Sequence, residues 1–262
     1  MPCAARPPRP FQPAAVLPVC SSLAWAVAVI CTRKLTAHDG VDTTPRANAA
    51  DPAPPSMELV CPAGSLPALK AAVDNGADCV YLGLRDATNA RNFAGLNFDE
   101  QAIAAGIRYA RERRCRVFMA LNTYPQASNP TLWQAAVDKA ADMGVDAVIL
   151  ADPGLMQYAL GRYPQLRLHL SVQGSASNYD AVNFYREQFG IVRAVLPRVL
   201  SLTQVQQLIE KTAVEIEVFG FGSLCVMVEG RCALSSYATG QSPNTCPLYT
   251  SPSPRDRTRT RM

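Results

Sequence analysis

The chain has 262 residues, 48% hydrophobic and 18% charged, which is enough to bury one sizeable core. The formal net charge is +4, but Arg255, Arg257, Arg259 and Arg261 crowd the tail, so the basic balance carries no inference of nucleic-acid binding. Nine cysteines, an odd number in a long chain, exclude a secreted disulfide scaffold and point to reduced thiols in a cytoplasmic protein.

Residues 1–56 are rich in Pro, Ala and Arg and show no amphipathic period. Their apolar run, Leu23 to Ile30, is too short for a membrane span, which needs about 20 apolar residues. We read 1–56 as a leader or translated upstream segment without a fold, and Met57 as the true start. From there strands and helices alternate. Glu58 to Cys61 is strand-like and ends at Pro62-Ala63-Gly64; Ser65 caps a helix from Leu66 to Asn75. Cys79 to Gly83 is the second strand, followed by a long loop from Arg85 to Asn97. Asp99 to Arg114 carries a helical apolar period in Ile103, Ile107 and Tyr109. Val117 to Leu121 is the third strand and Thr131 to Met143 the next helix, closed by Gly144. The unit repeats with Ala147 to Leu150, Pro153 to Arg162, Leu166 to Val172, a helix capped by Asn178 and running to Phe189, Val192 to Leu196, Leu202 to Thr212, and a seventh strand, Val214 to Phe219.

Seven apolar strands alternating with helices predict a parallel sheet buried on both faces. The regular count favours a (β/α)8 TIM-like barrel, incomplete at its C-terminus, over a doubly wound sheet. In such a barrel the strand ends gather on one face, where sites form. Here they bring Cys61, Asn122, Asp152, Gln173 and Arg198. Asn122, Asp152 and Asn178 also fit turn and cap chemistry. Arg198, after Pro197, carries a fixed charge suited to a carboxylate. Asn89 and Arg91 lie in the long loop that can cover the face. His169, mid-strand, reads as a core residue.

The seventh strand leads into Gly220-Phe221-Gly222-Ser223-Leu224-Cys225, and Cys232 follows after six residues. Two thiols at this spacing suit a soft metal, an iron–sulfur cluster, a disulfide or plain apolar packing, and spacing alone leaves these open. The string Glu-x-Phe-x-x-Gly-Ser-Leu-Cys-x-x-x-x-Gly-x-Cys-x-Leu-Ser, from Glu217 to Ser235, resembles the signature of the collagenase-like peptidase family of formerly unassigned catalytic type. Met57 to Gly64, Thr88 to Phe98, Val195 to Ser201, Ser235 to Tyr237 and Ser242 to Thr245 are similar to its ubiquinone-biosynthesis branch, UbiU. The resemblance spans 57–245, read here as the barrel domain.

That resemblance implies a TIM-like barrel and a 4Fe-4S cluster with Cys225 and Cys232 as two of its ligands. It implies oxygen-independent hydroxylation of the aromatic ring of a ubiquinone precursor, with prephenate as oxygen donor, in a heterodimer with the related UbiV. Asn89, Arg91, Gln173 and Arg198 are then the substrate-binding candidates. Nucleic acid is not an expected partner, nor is a membrane span. The alternatives are an RNA-modifying hydroxylase of the same family and a collagenase-like peptidase. Against the latter, the sequence has no His-Glu-x-x-His and no Gly-x-Ser-x-Gly. Cys246 to Met262 is low in complexity and resembles translated sequencing adapter. We read 246–262 as an artefactual tail on a truncated frame, with two cluster ligands and the eighth strand beyond it.

Overall fold

The computed structural model describes residues 57–90, 92 and 95–221. Within them run β1 (Val60–Pro62), α1 (Leu66–Asp74), β2 (Cys79–Gly83), α2 (Glu100–Glu112), β3 (Arg116–Leu121), α3 (Thr131–Asp142) and β4 (Ala147–Leu150). They continue with α4 (Pro153–Arg162), β5 (Leu168–Leu170), α5 (Tyr179–Phe189), β6 (Arg193–Val195), α6 (Leu202–Lys211) and β7 (Glu215–Glu217). The strands form one sheet in sequence order, β1 to β7, and every neighbouring pair is parallel. This is the strand–helix alternation of a TIM-like barrel, curled far enough that Glu58, just before β1, reaches Arg193 in β6.

Local chemistry sets the helix ends. The side chains of Ser65, Asp99, Asp152, Asn178 and Ser201 each accept a hydrogen bond from the backbone N–H three residues on. Ser201 and Gln204 complete a reciprocal capping box. Gly190 ends α5 in the left-handed region, at φ 65°.

Five strands, β1, β3, β5, β6 and β7, differ from their expected bounds, and two of the differences have a local cause. Glu58 lies ahead of β1 because its carboxylate is held by Arg116 and Arg193. β5 stops at Leu170, where the Ser171 hydroxyl accepts the Gln173 N–H at 3.3 Å and turns the chain into a 3-10 turn, Val172–Gly174.

The alternation along each strand separates two apolar layers. Val80, Leu82, Val117, Met119, Leu121, Val148, Leu150, Leu168, Leu170 and Ala194 face the helices and form the main core with Leu69, Ile103, Ile107, Val137 and Met156. Val60, Cys79, Phe118, Ala147 and Ile149, with Tyr81 and Phe219 against them, form a second cluster inside the curl. No helix among the described residues is long and apolar enough to cross a membrane.

Candidate functional site at the strand ends

The C-terminal ends of the strands carry most of the residues singled out by sequence. Asn89 is buried in the loop after β2. Its amide donates to the Leu84 carbonyl at 3.3 Å and to Asn97 Oδ1 at 2.9 Å. A Cβ on Gly83 would lie 2.1 Å from the Asn89 Nδ2, so glycine is what lets this side chain cross the end of β2. The amide nitrogen is thus committed to holding the loop. Asn122 Oδ1 accepts the Ala90 N–H at 3.0 Å, which ties the same loop to the end of β3. Asp152 and Asn178 act as helix caps. Cys61 packs in the helix-side core rather than on the rim.

Gln173 stands in the 3-10 turn after β5. Its carbonyl accepts the Tyr124 hydroxyl at 2.9 Å, so the β3 and β5 loops meet above β4. Its side-chain Oε1 is buried and accepts no hydrogen bond among the described residues. Arg198, after β6, lays its guanidinium over Phe219, 3.6 Å from the ring centroid. That stacking fixes the planar group. Arg91, Cys225 and Cys232 lie outside the described residues.

One network on this face escaped the sequence reading. Trp133 Nε1 donates to Thr123 Oγ1 at 2.8 Å, and that hydroxyl donates to the Ala87 carbonyl at 2.6 Å. Thr88 is held in turn by Asp86. The loop after β2 is therefore laced to the end of β3 from both sides. A lone Trp at the start of a helix gave no signal of this role.

At the opposite, N-terminal ends of the strands the interior is charged. Arg193, fully buried, donates to Glu215 at 2.6 and 2.9 Å and to Glu58 at 2.8 Å. It also stands 3.6 Å from Glu217. Arg116 pairs with Glu58 and Arg167 with Glu215. Burial pushes the Glu217 carboxyl up to about 7, against the pull of Arg193 and with repulsion from Glu215 and Glu58 adding to the rise. Burial, with Arg193, Arg167 and Arg116 nearby, holds the His169 imidazole well below its usual value, so it is neutral. His169 packs edge-on against Phe118, with ring centroids 4.7 Å apart. The sequence signal for this layer is a charge every second residue, as in Glu215-Ile216-Glu217, or just inside a strand, as in Arg116 and Arg193.

Among the described residues, no group of three or more His, Cys, Asp or Glu is placed to hold a metal ion. The thiols of Cys79 and Cys115 are both pushed up to about 12 by burial.

The sequence model of Peptidase family U32 matches residues 64–248. The chain is 34% identical over 187 residues to tRNA hydroxylation protein P1 of Bacillus subtilis, covering 71% of this chain and 44% of that protein. It is 38% identical over 195 residues to an uncharacterized protease of Methanocaldococcus jannaschii, covering 72% of this chain and 46% of that protein. The chain thus spans under half the length of these curated relatives. The solved U32 peptidase Mk0906 superposes with a TM-score of 0.52 at 16% identity, over 68% of this chain and 72% of that one, and supports the fold.

Proposed function

The chain belongs to Peptidase family U32, and on that premise we propose that it is part of an oxygen-independent hydroxylation protein acting on the aromatic ring of a ubiquinone precursor. The supporting observation is the strand-end rim. Gln173 and Arg198 arrive there on loops after β5 and β6, on a platform braced by Asn89 and Asn122. A stacked guanidinium suits the carboxylate of an aromatic acid or of a donor such as prephenate, because it pairs in a planar, two-point manner. The buried Gln173 Oε1 suits a hydroxyl donor. Arg91 joins this set as a substrate-binding candidate. Of the stretches that carry the ubiquinone-branch resemblance, Thr88 to Ala90 and Pro197-Arg198 lie at these strand ends.

Cys225 and Cys232 are the proposed thiolate ligands of a 4Fe-4S cluster, which would supply electron transfer. A cytoplasmic heterodimer with a UbiV-like partner completes the reading. Anaerobic purification with iron and sulfide analysis tests the cluster. About four of each per chain, lost in Cys225→Ala or Cys232→Ala, are expected. A protein purified without iron overturns the cluster.

A second reading, hydroxylation of RNA, is favoured by the name of the Bacillus relative. Analysis of quinones and of modified tRNA nucleosides in one deletion strain separates the two. Accumulated quinone precursor with intact tRNA hydroxylation supports the first, and the converse supports RNA.

A further inference from the structure

The inside of the curled sheet contains polar atoms that the protein leaves unmet. Among the described residues these include both ring nitrogens of His169, Nη1 of Arg193 and Oε2 of Glu217. All three residues are nearly or fully buried, at 1%, 0% and 3% exposure. Strand register brings them together: His169 pairs with Arg193, Arg193 with Glu215, and Val195 with Glu217. Arg193 Nη1 stands 3.6 Å from Glu217 Oε2, beyond a hydrogen bond.

Polar atoms buried this deeply are rarely left without a partner, so something belongs between them. The set mixes donors and acceptors. Arg193 Nη1 donates, a neutral imidazole offers one N–H and one bare nitrogen, and a carboxyl oxygen accepts. A cation would meet the guanidinium, and an anion would meet Glu58, Glu215 and Glu217 crowded on the same arginine. An apolar ligand would leave every atom unmet. Water satisfies all of them, and buried waters sit where two to four polar partners converge.

We propose that ordered water occupies the interior between His169, Arg193 and Glu217, and that Glu217 exchanges a proton with solvent through it. The acid O–H bond breaks toward the water, which passes the proton on, and Arg193 neutralises the carboxylate left behind. The groups around Glu217 suit this exchange. Arg193 faces it from β6, Glu215 from β7 and Glu58 from the approach to β1. Arg116 and Arg167 stand beyond these carboxylates, paired with them, while β4 brings apolar Ala147 and Ile149. Glu217 is almost wholly buried, and the one cation facing it, Arg193, is shared with Glu58 and Glu215, so the elevated position of its carboxyl follows from the same geometry. Glu217 is the last residue of β7 and lies two residues before Phe219, the ring under Arg198, so at most roughly 7 Å of chain separates this proton store from the rim. The inference goes beyond the hydroxylation reading and does not depend on which substrate the rim takes.

The test uses the whole 262-residue chain. Carboxyl-labelled glutamate is followed by NMR across pH, and internal water by magnetic relaxation dispersion. One carboxyl titrating within about a unit of 7, absent in Glu217→Gln, and a long-lived internal water lost in His169→Phe, are expected. If either variant fails to fold, the wild-type titration and wild-type water signal decide. No carboxyl with a midpoint above about 6, or no long-lived internal water, overturns the proposal.

Discussion

At the N-terminal ends of the strands, charge meets charge inside the protein, and at the C-terminal ends, side chains meet backbone. Arg193 gathers Glu58, Glu215 and Glu217 from either side of the sheet's opening, with Arg116 and Arg167 behind them. Above, Asn89, Asn122, Thr123 and Tyr124 spend their hydrogen bonds on carbonyls, N–H groups and neighbouring side chains of the loops. The lower layer holds the ends of the sheet together and offers solvent little. The upper layer fixes loops, with Gln173 tied to Tyr124 and Arg198 stacked on Phe219. Charge pairing and loop bracing are thus divided along the strand axis.

The largest effect should come from breaking the lower layer. Arg193→Met leaves Glu217 without a cation and Glu58 and Glu215 with only the peripheral Arg116 and Arg167, and a loss of about 3–5 kcal/mol in urea unfolding is expected. A loss under about 1 kcal/mol would mean that apolar packing, not charge, closes the sheet. The matching test above is Gly83→Ala. Its new methyl would meet the Asn89 amide at 2.1 Å and force it from Leu84 and Asn97. The expected cost is about 1–3 kcal/mol, from overpacking and a displaced loop.

The reach of the sequence differs between the two layers for a physical reason. Helix caps at Ser65, Asn178 and Ser201, and the seven strand–helix units, are local signals and were legible one by one. Arg198 and Gln173 were legible because a polar residue just after an apolar strand has one place to go. Arg193 was not, since its partner Glu58 lies 135 residues away and only sheet curl brings them together. Likewise Asn89 was read as facing substrate, whereas the void over Gly83 draws its amide inward.

A pH scan sharpens the same contrast with smaller effects. Burial alone would raise the Glu58 carboxyl, but hydrogen bonds and charge from Arg116 and Arg193 more than offset this and hold it below its usual value of 4.5. Its contribution is therefore present above pH 4.5 and lost as pH falls through the lowered native value. Glu217 runs the other way. Its raised native value makes its contribution complete below 4.5 and lost as pH rises through about 7. Glu217→Gln should flatten stability between those limits, and Glu58→Gln should flatten the acid limb. Urea midpoints at several pH values would show it; an unchanged profile in Glu217→Gln would place its charge outside the buried layer.

The smallest expected change in stability belongs to the residue with the largest expected role at the rim. Arg198 rests on Phe219 at the edge of the sheet, away from the Arg193 cluster. Arg198→Lys keeps the charge but loses the planar fork and the stacked face. Unfolding should shift by no more than about 0.5 kcal/mol. Turnover of a carboxylate-bearing substrate should fall roughly 10- to 100-fold in kcat/KM, the worth of about 1.5–3 kcal/mol in a charge-assisted contact. Equal losses of stability and activity would join the two layers into one structural unit. Loss of activity alone keeps them distinct.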